Sequence, residues 1–275
     1  MDFFSIIGLI AGVFVLVQGI LSNGTLRAFY DLGSIYITVG GTITALIVNF
    51  PLKNLKLVFP AIGKALFSKP DKPEDSINVI VELAEHARKN GLISLEEKVK
   101  EYKNEFLQKG IMSIIDTHDS EKVRDILETQ LSYIEDRHAQ VHTILEKGAS
   151  YGPAFGMIGT LIGLINMLKD LSKDMTQLGP NMSVALVTTF YGSVLANVIF
   201  LPLAGKLKIQ SENEIFCKQL IIEGVIAIQA GENPRLIRER LSGNLSSGAR
   251  KKGQKRTPKI NNENQSKNPN NTPKR

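Results

Sequence analysis

The sequence has few of the residues that common enzyme and disulfide-bonded sites require. Its single cysteine, Cys217, excludes an internal disulfide, so the chain does not fit a secreted disulfide scaffold. It also lacks a Walker loop, a nucleophile elbow and a cysteine pair. We therefore do not expect an enzyme.

Charge is missing from four long apolar stretches, which contain no Asp, Glu, Lys or Arg. A helix needs about 20 mostly apolar residues to cross a bilayer, and a soluble core helix would turn a charged face to water. The first stretch follows Met1-Asp2 rather than a basic segment, so we interpret it as a retained helix and not as a signal peptide. The sequence predicts four transmembrane helices, at 3–21, 33–50, 149–168 and 183–205.

The absence of ionisable residues inside these spans limits what the chain can do alone. A path for protons or cations through a membrane usually includes an ionisable side chain. Either this protein moves no ion, or a partner supplies the carboxylate.

The connecting segments predict the orientation. Segments 22–32 and 169–182 are short and carry few charges, whereas 51–148 and 206–275 are long and rich in lysine and arginine. Basic flanks belong in the cytoplasm, so we expect a multi-pass protein of the cytoplasmic (inner) membrane with both termini cytoplasmic.

The predicted fold is an all-α membrane protein with a helical cytoplasmic domain. Segment 52–67 has the pattern of an amphipathic helix, and Ser94 with Glu97 fits a capping box for a helix to about Gln108. A long helix from about Ser120 is expected to continue into span three, and span four is expected to continue towards Gln229. The expected parts are transmembrane helices one and two (1–50), a cytoplasmic domain (51–148), transmembrane helices three and four (149–205), a cytoplasmic extension (206–245) and a disordered basic tail (246–275).

Spans three and four carry small and hydroxyl residues. The pairs Gly152/Gly156 and Gly159/Gly163 have small-xxx-small spacing, which lets another helix approach closely. One interpretation is packing within a single subunit, with hydroxyls bonded to their own backbone. The other is a seam for another membrane helix, with Thr160, Thr188 and Thr189 lining an ion route.

Two further patterns carry weaker interpretations. Glu135, His138 and His142 share one helix face at a spacing compatible with a metal site, although polar surface residues explain them more simply, so no metal is expected. The basic tail either contacts anionic membrane lipids or is a solvated segment without a role. No nucleic-acid reading domain accompanies it, so nucleic acid is not an expected partner.

The chain resembles the MotA/PomA family of flagellar motor stator subunits, within the MotA/TolQ/ExbB proton channel superfamily, over about residues 1–245. Four spans with a large cytoplasmic loop carry the resemblance, as do the charged stretches Arg88-Lys89 and Glu96-Glu97. Two membrane motifs complete it: Gly152-Pro153-Ala154-Phe155-Gly156-Met157-Ile158-Gly159-Thr160 and Thr188-Thr189-Phe190-Tyr191-Gly192.

The resemblance implies a mechanism. Family members form a homopentamer around two copies of a single-span MotB-type subunit, a 5:2 complex in which the partner supplies the membrane aspartate. Ion flow across the inner membrane then generates torque on the rotor protein FliG, which drives motility and chemotaxis. The implied ion is H⁺ or Na⁺, and no cofactor is implied.

The resemblance implies roles for individual residues. Thr160, Thr188 and Thr189 match ion-pathway positions, and Pro153 and Pro202 match conformational prolines. Rotor contacts are expected at Arg88, Lys89, Glu96 and Glu97, and helix packing with the partner at Gly156, Gly159, Gly163, Gly192 and Ala196.

Two other functions remain open from the sequence. A self-sufficient ion transporter is disfavoured by the lack of charge within the spans. An ExbB/TolQ-like energy transducer is disfavoured because two spans, rather than one, precede the large loop.

Overall fold

The computed structural model describes residues 3–67, 71–117, 119–171, 175–243 and 245. Within these residues the chain forms helices and turns and contains no strand, which confirms the predicted all-α fold. The basic tail at 246–275 lies outside the described residues.

Two apolar helices begin the chain. Helix α1 covers Phe3–Asn23, and α2 covers Leu32–Asn49 with a π-helical segment at Tyr36–Gly40. A short 3₁₀ helix, Leu26–Phe29, connects them. Helix α2 is long and apolar enough to cross a membrane, whereas the apolar part of α1 that can be assessed, Ile7–Ser22, is shorter.

Two much longer helices contain spans three and four. Helix α7 covers Ser120–Asp170, and α8 joins Leu178–Val194, a π-helical segment at Leu195–Phe200, and Leu201–Gln229. Both contain stretches that satisfy the length and composition of a membrane span. The expected continuity between membrane and cytoplasmic helices is confirmed. Since three helices meet the criteria in full, the chain is an integral membrane protein, and the count of four spans remains a prediction.

The cytoplasmic helices share one apolar core. Helix α4 (Pro73–Asn90) packs on α8 and on α9 (Pro234–Gly243), and α6 (Glu105–Asp116) packs on α7 and α8. The fully buried side chains at the centre of this core are Ile80, Leu83, Leu95, Ile111, Ile114, Leu127, Leu220, Ile221 and Ile237. Burial of these apolar side chains is the main contribution to the stability of this helical region, which is called the head below.

The predicted amphipathic helix is confirmed as α3, Leu52–Phe67. Its Val58 packs with Leu46 and Leu145 in a second, smaller core, while Phe59 is 79% exposed. A large apolar side chain on the open side of a basic helix is typical of a helix that lies at a membrane surface.

A polar cluster fixes α3 to α8. Lys64 Nζ lies 3.2 Å from a Glu214 carboxylate oxygen, and Lys218 Nζ lies 2.7 Å from the other. Burial raises the pKa of Glu214, but the hydrogen bond to Lys218 and the charges of Lys218 and Lys64 outweigh it and lower that pKa to about 2. Glu214 is therefore ionised at neutral pH and ties α3 to α8.

One helix prediction was wrong. The helix that begins at Leu95, α5, ends at Val99, and α6 starts separately at Glu105. The Ser94 hydroxyl donates to the Gly91 carbonyl at 2.7 Å instead of capping a helix. The Asn104 side chain accepts from two backbone N–H groups of α6, and this cap starts a new helix.

The two faces of α7 predict a difference in stability between neighbouring residues. Leu127 is fully buried in the cytoplasmic core, whereas Ile126 is 44% exposed. We expect Leu127→Ala to destabilise the cytoplasmic helices by about 2–5 kcal/mol, because it leaves a cavity. Ile126→Ala is the matched control. Hydrogen–deuterium exchange of the solubilised protein should show faster exchange at α4, α6 and α8 only for Leu127→Ala, and equal protection in both variants would contradict this core.

Candidate ion-path site between spans three and four

Spans three and four meet along a row of glycines. A methyl group added at Gly156 would lie 3.0 Å from the Thr188 carbonyl oxygen, and one added at Gly163 would lie 2.8 Å from Ala185 Cβ. At Gly192 the added carbon would lie 2.5 Å from the Gly152 carbonyl oxygen. A side chain would clash at Gly163 and Gly192 and would crowd the backbone at Gly156, so glycine permits the backbones to approach this closely.

This packing favours one of the two interpretations of the small residues. Gly156, Gly159, Gly163, Gly192 and Ala196 were expected to contact a partner helix, but all five are buried within the chain, between α7 and α8. A residue already covered by its own subunit has no surface to offer another. The small residues therefore form an internal seam, which was the alternative interpretation.

The three expected ion-path threonines divide into two groups. Thr188 is fully buried, and its hydroxyl donates to span-four carbonyls, of Val184 at 3.1 Å or of Ala185 at 2.9 Å. Thr189 is exposed and Thr160 is half-buried, and their hydroxyl oxygens form a short hydrogen bond with each other. The structure thus places two of the three hydroxyls on an open face and turns the third into the protein.

The Thr160–Thr189 pair is held in place by backbone carbonyls. The Thr160 hydroxyl lies 3.1 Å from the Gly156 carbonyl oxygen and 3.0 Å from that of Ala185. Several oxygen atoms therefore converge at one point between the two spans. Oxygen ligands suit a hard cation, and hydroxyls can also relay a proton.

Span two contributes buried hydroxyls that the sequence reading missed. Ser34 and Thr38 are fully buried and Thr42 is 1% exposed. The Thr38 hydroxyl donates to the Thr188 carbonyl at 3.3 Å. The spacing of these three residues, one hydroxyl every four positions in an apolar span, was the available signal for a polar stripe along one face of a helix.

The connection between α1 and α2 also packs on span four. The Phe29 ring makes an edge-to-face contact with Phe190 at a centroid distance of 5.2 Å, and the Tyr191 hydroxyl donates to the Phe29 carbonyl. Asp31 caps α2 by accepting from the Ser34 backbone N–H at 2.6 Å. Span four is thus contacted by span two, span three and this connection.

Both expected conformational prolines lie in membrane helices. Pro153 lies inside α7, where a methyl group added at Gly192 would approach its Cα to 3.1 Å. Pro202 lies two residues after the π-helical segment Leu195–Phe200. Neither residue has a backbone N–H to donate, so each leaves a carbonyl one turn earlier without its helical partner and weakens the helix there.

The four charged residues expected to contact a rotor lie at one end of the cytoplasmic helices. Arg88 and Lys89 lie in the last turn of α4, while Glu96 and Glu97 lie in the first turn of α5, after a turn at Gly91, which has a φ of 83°. Glu96 pairs with Lys100 at 3.4 Å. Among the described residues, the other three make no ion pair.

A third base joins Arg88 and Lys89. Both line an open cleft together with Arg235 at the start of α9, and sequence reasoning missed Arg235 because it lies far away in the chain. On the other side of the Gly91 turn, Ile93 is 78% exposed. The end of the head thus presents bases, acids and one apolar side chain to solvent.

The histidines of the Glu135, His138 and His142 pattern make other contacts. His138 Nδ1 lies 3.0 Å from the Ser211 hydroxyl oxygen, and His142 lies 3.4 Å from Glu146. No group of three potential ligands occurs anywhere in the described part of the chain. These histidines join neighbouring turns and helices.

Comparison with known proteins identifies the family. The model of the MotA/TolQ/ExbB proton channel family matches residues 98–219. Chemotaxis protein PomA of Vibrio alginolyticus is 40% identical over 250 residues, which cover 91% of this chain and 98% of PomA. The chain belongs to this family. The resemblance seen in the sequence is therefore confirmed.

Other relatives are motility proteins. Motility protein A of Treponema phagedenis is 38% identical over 241 residues, covering 88% of this chain and 93% of that protein. The flagellar MotAB stator complex from Bacillus subtilis contains a chain with a TM-score of 0.82 and 32% identity, over 91% of this chain and 99% of that one. These similarities favour a flagellar stator over the ExbB/TolQ alternative, and the family is one of ion channels rather than enzymes.

The seam predicts a destabilising substitution. A methyl group at Gly159 would lie 2.4 Å from Thr188 Cγ2. The backbones of the two spans would have to move apart to relieve this clash. We expect Gly159→Ala to cost about 1–3 kcal/mol, as overpacking does in other cores. Gly205→Ala is the control, since nothing lies within 4 Å of its added carbon. In detergent, the thermal unfolding midpoint of Gly159→Ala should be lower than those of the control and the parent. Equal midpoints in the three proteins would refute the seam.

Proposed function

We propose that the protein is the larger subunit of a flagellar motor stator and that, with a MotB-type partner, it conducts H⁺ or Na⁺ and converts the ion flow into torque. The single observation that carries this proposal is the Thr160–Thr189 pair, in which Thr189 is exposed and Thr160 half-buried, set between spans that contain no Asp, Glu, Lys or Arg. Oxygen ligands are present there, but a titratable group is missing. The similarity to MotAB stator chains supports a second subunit as its source.

The proposed assembly is a homopentamer around two MotB-type subunits, in the inner membrane, with both termini cytoplasmic. Exposed apolar side chains on spans three and four support contacts with other membrane helices or lipid. Leu161 and Ile165 of span three and Leu186 of span four are each 60% exposed or more. Basic connections on one side of the spans support the orientation.

Pro153 and Pro202 are proposed to let spans three and four bend as the ion passes. Pro153 packs at Gly192 in the internal seam, so a bend in α7 would act directly on α8. Both helices continue into the cytoplasmic head. A bend at membrane depth would therefore move the end of the head.

That end is proposed to contact the rotor protein FliG through Arg88, Lys89, Glu96 and Glu97. Its charges are of both signs and are largely exposed, which suits an electrostatic contact with a partner that carries the complementary pattern. Arg235 extends the basic part, and Ile93 offers an apolar contact.

Ion flux tests the proposed function directly. Reconstituted liposomes should show little cation entry with this chain alone, and entry of H⁺ or Na⁺ with a MotB-type partner freed of any autoinhibitory segment. The flux should disappear when the partner's membrane aspartate is changed to asparagine, because the only titratable group in the path is then lost. Testing the two cations separately identifies the ion. Strong flux from the chain alone would overturn the proposal and favour a self-sufficient transporter.

Charge reversal tests the rotor contact. Exposed ion pairs contribute only about 0.2–1 kcal/mol each, so Arg88→Glu should slow swimming modestly, and Arg88→Glu combined with Lys89→Glu should slow it strongly. Lys109→Glu, an exposed base on α6, is the control. Liposome flux should stay at the parental level in all variants. Parental swimming speed in the double variant would remove the rotor role from these residues.

A further inference from the structure

All three well-defined spans meet at one peptide group. The carbonyl oxygen of Thr188 accepts from the Thr38 hydroxyl of span two at 3.3 Å. On its other side lies Gly156 of span three, where an added methyl group would be 3.0 Å from the same oxygen. This carbonyl belongs to the peptide bond that joins Thr188 to Thr189, so its orientation sets where Thr189 points.

We propose that Thr38 is a positioning residue for ion passage: its hydroxyl holds the Thr188–Thr189 peptide so that the Thr189 hydroxyl meets Thr160 on the open face. The inference rests on the proposed function, because its first test measures ion flux. Thr38 touches no ion, since it is fully buried. It acts through the peptide.

The environment of Thr38 favours a specific role for its hydroxyl. A polar group buried in a membrane span is costly unless it is bonded, and hydroxyls there often bond to their own helix instead. Thr42 and Thr44 do so, donating to Thr38 and Gly40 carbonyls at 2.7 and 2.8 Å. The partner of Thr38 is on another span.

Ser34 does not duplicate this contact. It lies 3.4 Å from the Val184 carbonyl, but its single proton is directed to the Asp31 carboxylate at 2.6 Å. Thr38 also lies within the π-helical segment Tyr36–Gly40, where the backbone departs from the α-helical pattern. Such segments are frequent at functional sites in helices.

Movement of the Thr188–Thr189 peptide would change the position of the Thr189 hydroxyl relative to Thr160. A methyl group added at Gly156 would lie 3.2 Å from Thr189 Cα, so span three closes the other side of this residue. With Thr38 bonded on one side and Gly156 packed on the other, the Thr189 side chain is left to face Thr160. Without the Thr38 bond, this peptide keeps its own helical hydrogen bonds and its packing on Gly156 but loses its only bond to span two among the described residues.

Three variants separate the hydroxyl of Thr38 from its packing. Thr38→Val keeps the shape and removes the hydroxyl, and Thr38→Ser restores the hydroxyl with less bulk. Thr42→Val is the matched control, since Thr42 is equally buried in the same span but bonds within its own helix. Each variant is reconstituted with the MotB-type partner, and flux is measured over a range of ion concentrations.

We expect Thr38→Val to raise the ion concentration for half-maximal flux by about fivefold, the factor that corresponds to one neutral hydrogen bond. Thr38→Ser should restore the parental value, and Thr42→Val should keep it. Equal half-maximal concentrations in the parent and Thr38→Val would overturn the inference, as would equal changes in the two valine variants. Absence of flux from the parental complex would instead count against the proposed function.

A spectroscopic readout tests the bond without ion flux. Thr188-Thr189 is the only adjacent threonine pair in the sequence, so labelling threonine with carbonyl ¹³C and amide ¹⁵N gives a single ¹³C–¹⁵N peptide correlation. In solid-state spectra of the protein in lipid, Thr38→Val should shift this carbonyl resonance, and Thr38→Ser and Thr42→Val should leave it near the parental position. An unmoved resonance in Thr38→Val would refute the positioning bond.

Discussion

The close approach of spans three and four at their glycines is the constraint on which the rest of the structure depends. Because Gly156 and Gly163 have no side chain, the backbone of span four lies directly against that of span three. This contact turns Thr188 inward and leaves Thr189 beside Thr160 on the open face. The same seam continues into the two long helices that support the cytoplasmic head, so membrane and head are parts of one packed pair.

This arrangement joins ion chemistry to mechanical output through continuous helices. Span four is packed against spans two and three, and Pro153 lies in the seam at Gly192. Under the proposed function, a change at the hydroxyl pair would be carried through these continuous helices to the end of the head, where Arg88 lies in the last turn of α4. The ion pair between Lys64 and Glu214 holds the amphipathic helix α3 on α8. In such a structure the ion site and the exposed charges are coupled by packing rather than by a flexible linker.

The sequence predicts much of the fold, but it predicts less of the candidate site, because the site depends on contacts between distant residues. Apolar length predicts spans, and an unbroken pattern after Ser120 predicted the continuous α7. The expectations that differ from the structure concern which neighbour a residue contacts. The spacing of Gly156 shows that a helix comes close, but not whether that helix is in the same chain. The buried role of Thr188 depends on rotation about the helix axis. The single helix expected to about Gln108 is divided in two, because the Asn104 side chain caps a separate α6 that begins at Glu105.

The central claim is that the face carrying Thr160 and Thr189, and not the seam, meets the ionisable residue of a partner. Cysteine cross-linking in membranes tests it most directly. Native Cys217 is buried, which raises its pKa to about 11, so it will not compete. With a cysteine at the partner's membrane aspartate, the account predicts cross-links to Thr160→Cys and Thr189→Cys and none to Thr188→Cys. Efficient cross-linking through Thr188→Cys, with none at the other two, would contradict it.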